Sequence, residues 1–209
     1  PPQPYDPQLV VSQDPNDIIG PEGFGEESWI AASDTLPYMI RFENVAEASA
    51  PAQRVTIEQQ LDDDLDPRTF RVDDFGWGEL RVELAGDQAF YQGRIDFPDG
   101  SGLVVDVTAT VDVITGIISW VFQTIDPLTG ESPLDALAGF LPPNEPKGVG
   151  EGFVTYSVRS RRNSPSGTRI DADATIVFDT NEASDTPDIF NTLDAVVPTS
   201  QIETLPATT

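Results

Sequence analysis

The chain has 209 residues, with 36 Asp and Glu against 11 Lys and Arg, a formal charge of −25, and neither histidine nor cysteine. Such a length buries an ample core without disulfides. The charge disfavours nucleic acids and anionic lipid surfaces as partners, and the missing His and Cys remove the usual zinc, haem and iron–sulfur ligands and most nucleophile–base pairs. No run reaches the roughly 20 apolar residues of a membrane span, so membrane insertion is not expected.

Residues 1–37 are rich in Pro, Gly and Asp, with Leu9-Val10-Val11 the one short strand candidate. Residues 1–13 read as a linker or extension strand, 14–196 as the folded domain, and 197–209 as a C-terminal linker. From Tyr38 onward, strict alternation predicts antiparallel strands. Tyr38, Ile40 and Phe42 form the first inward row. Val55, Ile57 and Leu61 follow, opposite Arg54, Glu58 and Gln60, and then Leu80, Val82 and Leu84.

Gln88–Phe97 reads as another strand. Leu103–Val113 and Ile117–Ile125 form a long hairpin about Thr115-Gly116, with Ile118, Trp120 and Phe122 sharing a face. Residues 126–151 break the rhythm, with a predicted helical turn over Pro133–Leu137 and with Leu137, Phe140 and Leu141 packing over a sheet edge. Val154, Tyr156 and Val158, then Ile170, Ala172, Ala174, Ile176 and Phe178, complete eight or nine strands. The predicted fold is all-β, an immunoglobulin-like antiparallel sandwich with long loops.

Acidic clusters flank these strands. Asp14, Asn16 and Asp17 lie before Ile18-Ile19, and Asp179, Asn181, Glu182 and Asp185 follow the strand ending at Phe178. Hard cations take six to eight oxygens, so two such loops meeting at one end of a sandwich would form a calcium site. The other reading of both clusters is turn chemistry, since Asp and Asn favour Asx-turns. Asp62-Asp63-Asp64-Leu65-Asp66 reads as a solvated turn, because three consecutive acids cannot all face one ion. Trp77, in Phe75-Gly76-Trp77-Gly78, reads as the exposed tryptophan, and an exposed coplanar pair of aromatics that includes Trp77 or Tyr91 would mark a sugar-stacking surface.

Asp14-Pro15-Asn16-Asp17, Tyr38 to Asn44, Leu61 to Phe70, Gly152-Phe153-Val154 and Ile176 to Glu182 together resemble a conserved-repeat β-sandwich domain. That domain occurs in large secreted and surface-bound modular bacterial proteins. The resemblance implies an Ig-like module with an extracellular or cell-surface location, neighbouring modules in the same polypeptide, and a structural or adhesive role without catalysis. It hands over no metal ligands; calcium as cofactor is inferred from the oxygen clusters alone. Two alternatives stand beside it. One is a carbohydrate-binding module with a polysaccharide partner; the other is a filament subunit in which Leu9-Val10-Val11 completes another subunit's sheet. The region from Gly100 to Asn144 is expected to be an added surface.

Overall fold

The computed structural model describes residues 16–97 and 102–196, so Asp14, Leu9-Val10-Val11 and both predicted linkers lie outside the described residues. Three sheets are present. A five-stranded sheet runs β1 (Asp17–Ile19), β3 (Thr35–Glu43), β10 (Glu151–Ser160), β5 (Leu65–Trp77), β6 (Leu80–Val82). A six-stranded sheet runs β13 (Ser184–Asp185), β12 (Thr175–Phe178), β4 (Arg54–Gln60), β9 (Ile117–Ile125), β8 (Val104–Val111), β7 (Tyr91–Asp96). A smaller one joins β11 (Arg169–Ala172), β14 (Ile189–Asp194) and β2 (Trp29–Ala31), the last pair parallel. All other strand pairs are antiparallel, and the fold is the predicted all-β sandwich.

Alternation decides which face each strand buries. Tyr38, Ile40 and Phe42 from β3 and Val154, Tyr156 and Val158 from β10 face Val55 and Ile57 from β4 and Ile118, Trp120 and Phe122 from β9, all 0–3 % exposed. Aromatic rings bridge the two large sheets, with Phe70 edge-on to Trp120 at 5.8 Å and Phe75 edge-on to Phe122 at 5.9 Å between centroids. Each such pair contributes about 0.5–1.5 kcal/mol beyond its buried area.

Several expectations are corrected. β5, thirteen residues long and flanked by β10 and β6, takes in Leu65 and Asp66 from the expected turn and runs on to Trp77. Trp77 ends it at 4 % exposure, edge-on to Phe122 and Phe140, because the row Phe70, Val72, Phe75, Trp77 faces inward; register shifts against β10 interrupt the period-two signal. The β8–β9 hairpin is no appendage, since β9 lies between β4 and β8 and carries the core residues Trp120 and Phe122.

In the 126–151 segment no helical turn forms. Residues 135–138 make an Asx-turn, with the Leu137 N–H donating to Asp135 Oδ1. Phe140 and Leu141 are buried as expected, but Leu137 is 67 % exposed. Polar anchors hold this segment instead: Gln53 Nε2 donates to the carbonyls of Pro133 and Asp135, and Thr124 Oγ1 accepts the Phe140 N–H.

Candidate functional site

At the end of the sandwich where β3 leaves its sheet, the two predicted oxygen-rich segments do meet. Asn16, Glu43, Asp179, Asn181, Glu182 and Ser184 line one cleft of about 500 Å³. Asn16, 4 % exposed, supplies the join. Its Nδ2 donates to Ser184 Oγ at 3.1 Å, and its Oδ1 accepts the Glu43 N–H at 3.2 Å. One buried amide therefore ties the segment entering β1 to the loop after β12 and to the end of β3.

Asp179 has φ 51°, a left-handed conformation that Asp tolerates better than most residues. Its Oδ1 accepts the N–H groups of Gln53 and Arg54 at 2.9 and 2.8 Å, and its own N–H donates to the Arg54 carbonyl. That carboxylate caps the start of β4.

Asp17 and Asp185 are committed elsewhere. Both Asp17 oxygens accept from the Arg41 guanidinium, and this pairing raises the Arg41 pKa. Asp185 Oδ1 accepts the Thr175 hydroxyl at 2.6 Å across β12–β13. Asn181 and Glu182 are exposed, and the Asn181 N–H closes a turn onto the Phe178 carbonyl. Among the described residues, no group of three or more acidic side chains is gathered in a way that could hold a metal ion.

Asp62 to Asp64 form the expected turn, whereas Leu65 and Asp66 already belong to β5: Asp62 Oδ1 accepts the Asp64 N–H and its Oδ2 accepts the Asp171 N–H. Trp77, named for sugar stacking, is core. Tyr91 is half-buried, 5.1 Å from Phe75 in an edge contact, so Trp77 and Tyr91 form no exposed coplanar pair.

Side chains that the alternation left unremarked do much of the polar work. Gln59 sits at an inward position of β4 and accepts the Tyr156 hydroxyl. Asn44 Nδ2 donates to the carbonyls of Ala50 and Leu141, and Asn191 Nδ2 to those of Pro21 and Ser28. The one available signal was phase: Gln59 falls between Ile57 and Leu61 in the buried row.

A family model described as a domain of unknown function (DUF7619) matches residues 14–97, which hold β1 to β7 and stop short of β8. No curated protein matches. Among solved structures, domains D2 and D3 of the major pilin SpaD from Corynebacterium diphtheriae share 12 % identity at a TM-score of 0.47, covering 84 % of this chain and 51 % of that one. The chain thus spans about half the length of that pilin fragment. The collagen-binding domain of a Staphylococcus aureus adhesin shares 15 % identity at a TM-score of 0.42, over 88 % of this chain and 99 % of that one. AvmM, which catalyses macrocyclization in alchivemycin A biosynthesis, shares 11 % at 0.36, over 91 % and 94 %. Likenesses this distant carry neither activity nor ligand to the chain.

Proposed function

We propose that the chain is a non-catalytic structural or adhesive module of a secreted or cell-surface protein. The observation that carries this is the use made of buried polar groups. Every buried polar residue among those described is an uncharged amide or hydroxyl, and Asn16, Asn44, Gln59 and Asn191 each join segments far apart in the chain. Catalytic clefts concentrate desolvated, perturbed ionisable groups. Here buried polarity holds loops to sheets and the two large sheets to each other, which suits a rigid unit.

The test is retention of the purified chain on immobilised polysaccharides and collagen, run beside a panel of glycoside and ester substrates. Saturable retention without turnover is expected. Turnover abolished by a single Glu→Gln or Asp→Asn change would overturn the proposal.

Calcium stabilisation is a finer proposal, supported by the meeting of Asn16 with Asp179, Asn181 and Glu182 in one cleft beside Glu43. An ion there would need Glu43 and Glu182 to turn inward, adding to oxygens already committed to the backbone.

Self-association through a sheet edge is favoured by one observation. Among the described edge strands, β7 has six residues, whereas β1, β2, β6, β11 and β13 have two to four. Long free edges are the ones that recruit added strands. Sedimentation over a wide concentration range checks it: association is expected on this reading, and a constant monomer mass removes it.

A further inference from the structure

A second cleft, of about 530 Å³, opens on the solvent face of the five-stranded sheet. Its floor is the outward row of β3 and β10, including Arg41, Phe153 and Thr155. Phe153 pairs in register with Gly76 of β5. A Cβ on Gly76 would stand 3.0 Å from the Phe153 ring and 2.2 Å from the Leu80 carbonyl oxygen. The bare glycine therefore lets the ring lie close over the neighbouring strand, a packing by which aromatics cover strand glycines. The Arg81 guanidinium carbon sits 5.8 Å from the ring centroid, within cation–π range. The ring remains half-buried and lines the cleft together with Arg81.

Charge is distributed unevenly around this ring. In a chain of net charge −25, three of the 11 basic residues, Arg41, Arg81 and Lys147, line this one cleft. Asp17, Glu43 and Glu151 balance them, so the lining is neutral within a strongly acidic protein. Arg41 is held by Asp17 and Arg81 by Asp74. Lys147, the only lysine, is exposed, and its ammonium makes no ion pair or hydrogen bond with any described residue.

Nor does Lys147 sit on an unsupported loop. Asn144, 5 % exposed, accepts the N–H groups of Gly148 and Gly150 on its Oδ1 at 2.6 and 3.2 Å and donates from Nδ2 to Glu151 Oε1 at 3.2 Å. The turn bearing the lone ammonium is wrapped around a buried amide. A ligand meeting Lys147 there would not have to order that turn.

We infer that this cleft binds a sugar acid, one saccharide ring carrying one carboxylate, with the ring's apolar face on Phe153 and its carboxylate at Lys147. An anion at Lys147 would meet an ammonium that no described residue neutralises, and it would sit at the edge of a cleft whose other cations are already paired. The remaining lining alternates donors and acceptors, with Arg41 and Thr155 set among Glu43 and Glu151, and hydroxyls can satisfy both kinds. A purely apolar ligand would desolvate Glu43 and Glu151 without giving them donors, which is costly. A polyanion would be repelled by the rest of the surface, so an isolated carboxylate fits better than a run of them. The volume suits a small ligand.

The inference goes beyond the module reading and does not depend on it. Methyl β-glucuronide, methyl β-glucoside and sodium acetate are titrated in turn into the ¹⁵N-labelled full chain. The glucuronide is expected to shift the amides of Lys147, Gly148 and Phe153 and to bind about fivefold or more tighter than the glucoside, the size of a charge-assisted contact. Lys147→Gln should bring it to the level of the glucoside, Lys147→Arg should retain most of the difference, and Phe153→Ala should weaken both sugars. Both residues are at least partly exposed, so unchanged unfolding midpoints are expected to confirm intact folds. Equal affinity for the two glycosides, shifts that map elsewhere, an acetate response matching the glucuronide's, or no shift at tens of millimolar would each overturn the site. Turnover of either glycoside would instead overturn the module reading and leave the binding site standing.

Discussion

The Tyr156 hydroxyl, on the five-stranded sheet, donates a 2.7 Å hydrogen bond to Oε1 of Gln59, on the six-stranded sheet. The two residues are 97 positions apart, and Tyr156 is 0 % and Gln59 3 % exposed. Tyr156 also stacks on Tyr38 at 5.1 Å and touches Phe70 and Trp120, so one polar contact is locked inside the aromatic core. Burial pushes the Tyr156 pKa well above the ordinary tyrosine value, which keeps the donor protonated at any working pH.

Removing that hydroxyl leaves a buried amide oxygen without its donor. Tyr156→Phe is expected to cost about 1–3 kcal/mol in urea unfolding, and Tyr156→Phe combined with Gln59→Leu to recover much of the loss, because both polar partners are then gone. Strictly additive losses in the double variant would show that the contact is not the coupling between the sheets.

Within the 126–151 segment, adjacent apolar residues should behave in opposite ways. Phe140, 1 % exposed and stacked on Phe122 at 5.8 Å, is expected to cost about 3–5 kcal/mol on change to alanine. Leu137→Ser, at 67 % exposure, should stay within about 0.5 kcal/mol. Thermal unfolding of the two variants distinguishes them.

Those two residues show what the sequence could and could not convey. Alternation placed Tyr38, Ile57, Val107, Trp120 and Val154 in the core, and all are there, because a strand with one buried face imposes a period of two. It placed neither Leu137 nor Trp77, since irregular backbone and register shifts carry no fixed period. The partnership of Asn16 with Ser184 was equally out of reach: composition marked both neighbourhoods as oxygen-rich, but an Asn that bridges and an Asn that turns look the same in one dimension. The predicted meeting of the two segments was legible from their positions at strand ends. The Phe153 and Lys147 cleft was not, because its parts come from β1, β3, β6, β10 and two loops.

Stability should peak below neutral pH. Burial, and then the neighbouring Asp188 and Asp185, raise the Asp173 pKa, so its charge opposes folding at neutral pH and the penalty fades as pH falls through that raised value. Hydrogen bonding from Arg94 lowers the Asp106 pKa, and hydrogen bonding from Arg81 lowers that of Asp74. Their stabilisation is present above the unfolded value of 3.8 and is lost as pH falls through the depressed ones. The unfolding midpoint is therefore expected to rise as pH falls from neutral through the raised Asp173 value and to drop again as pH falls through the depressed Asp106 and Asp74 values. Asp173→Asn should flatten the rise. Asp106→Asn should remove about 0.2–1 kcal/mol at neutral pH and soften the acid fall.

If calcium occupies the Asn16 cleft, the unfolding free energy should rise with calcium beyond the effect of sodium chloride at equal ionic strength, by about 2.7 kcal/mol at a hundredfold excess over the dissociation constant. Glu182→Gln, which alters no described hydrogen bond, should abolish that increment. A response no larger than that of salt removes the ion from the account.

The most direct test of a module held rigid by buried amides is the urea unfolding free energy of Asn16→Ala against the unaltered chain, both in excess EDTA. The account predicts one cooperative transition lowered by about 1–3 kcal/mol, since the Glu43 N–H and the Ser184 hydroxyl lose their partner with no ion present. An unchanged transition would contradict it, by showing that Asn16 does not tie the entering segment to the loop after β12.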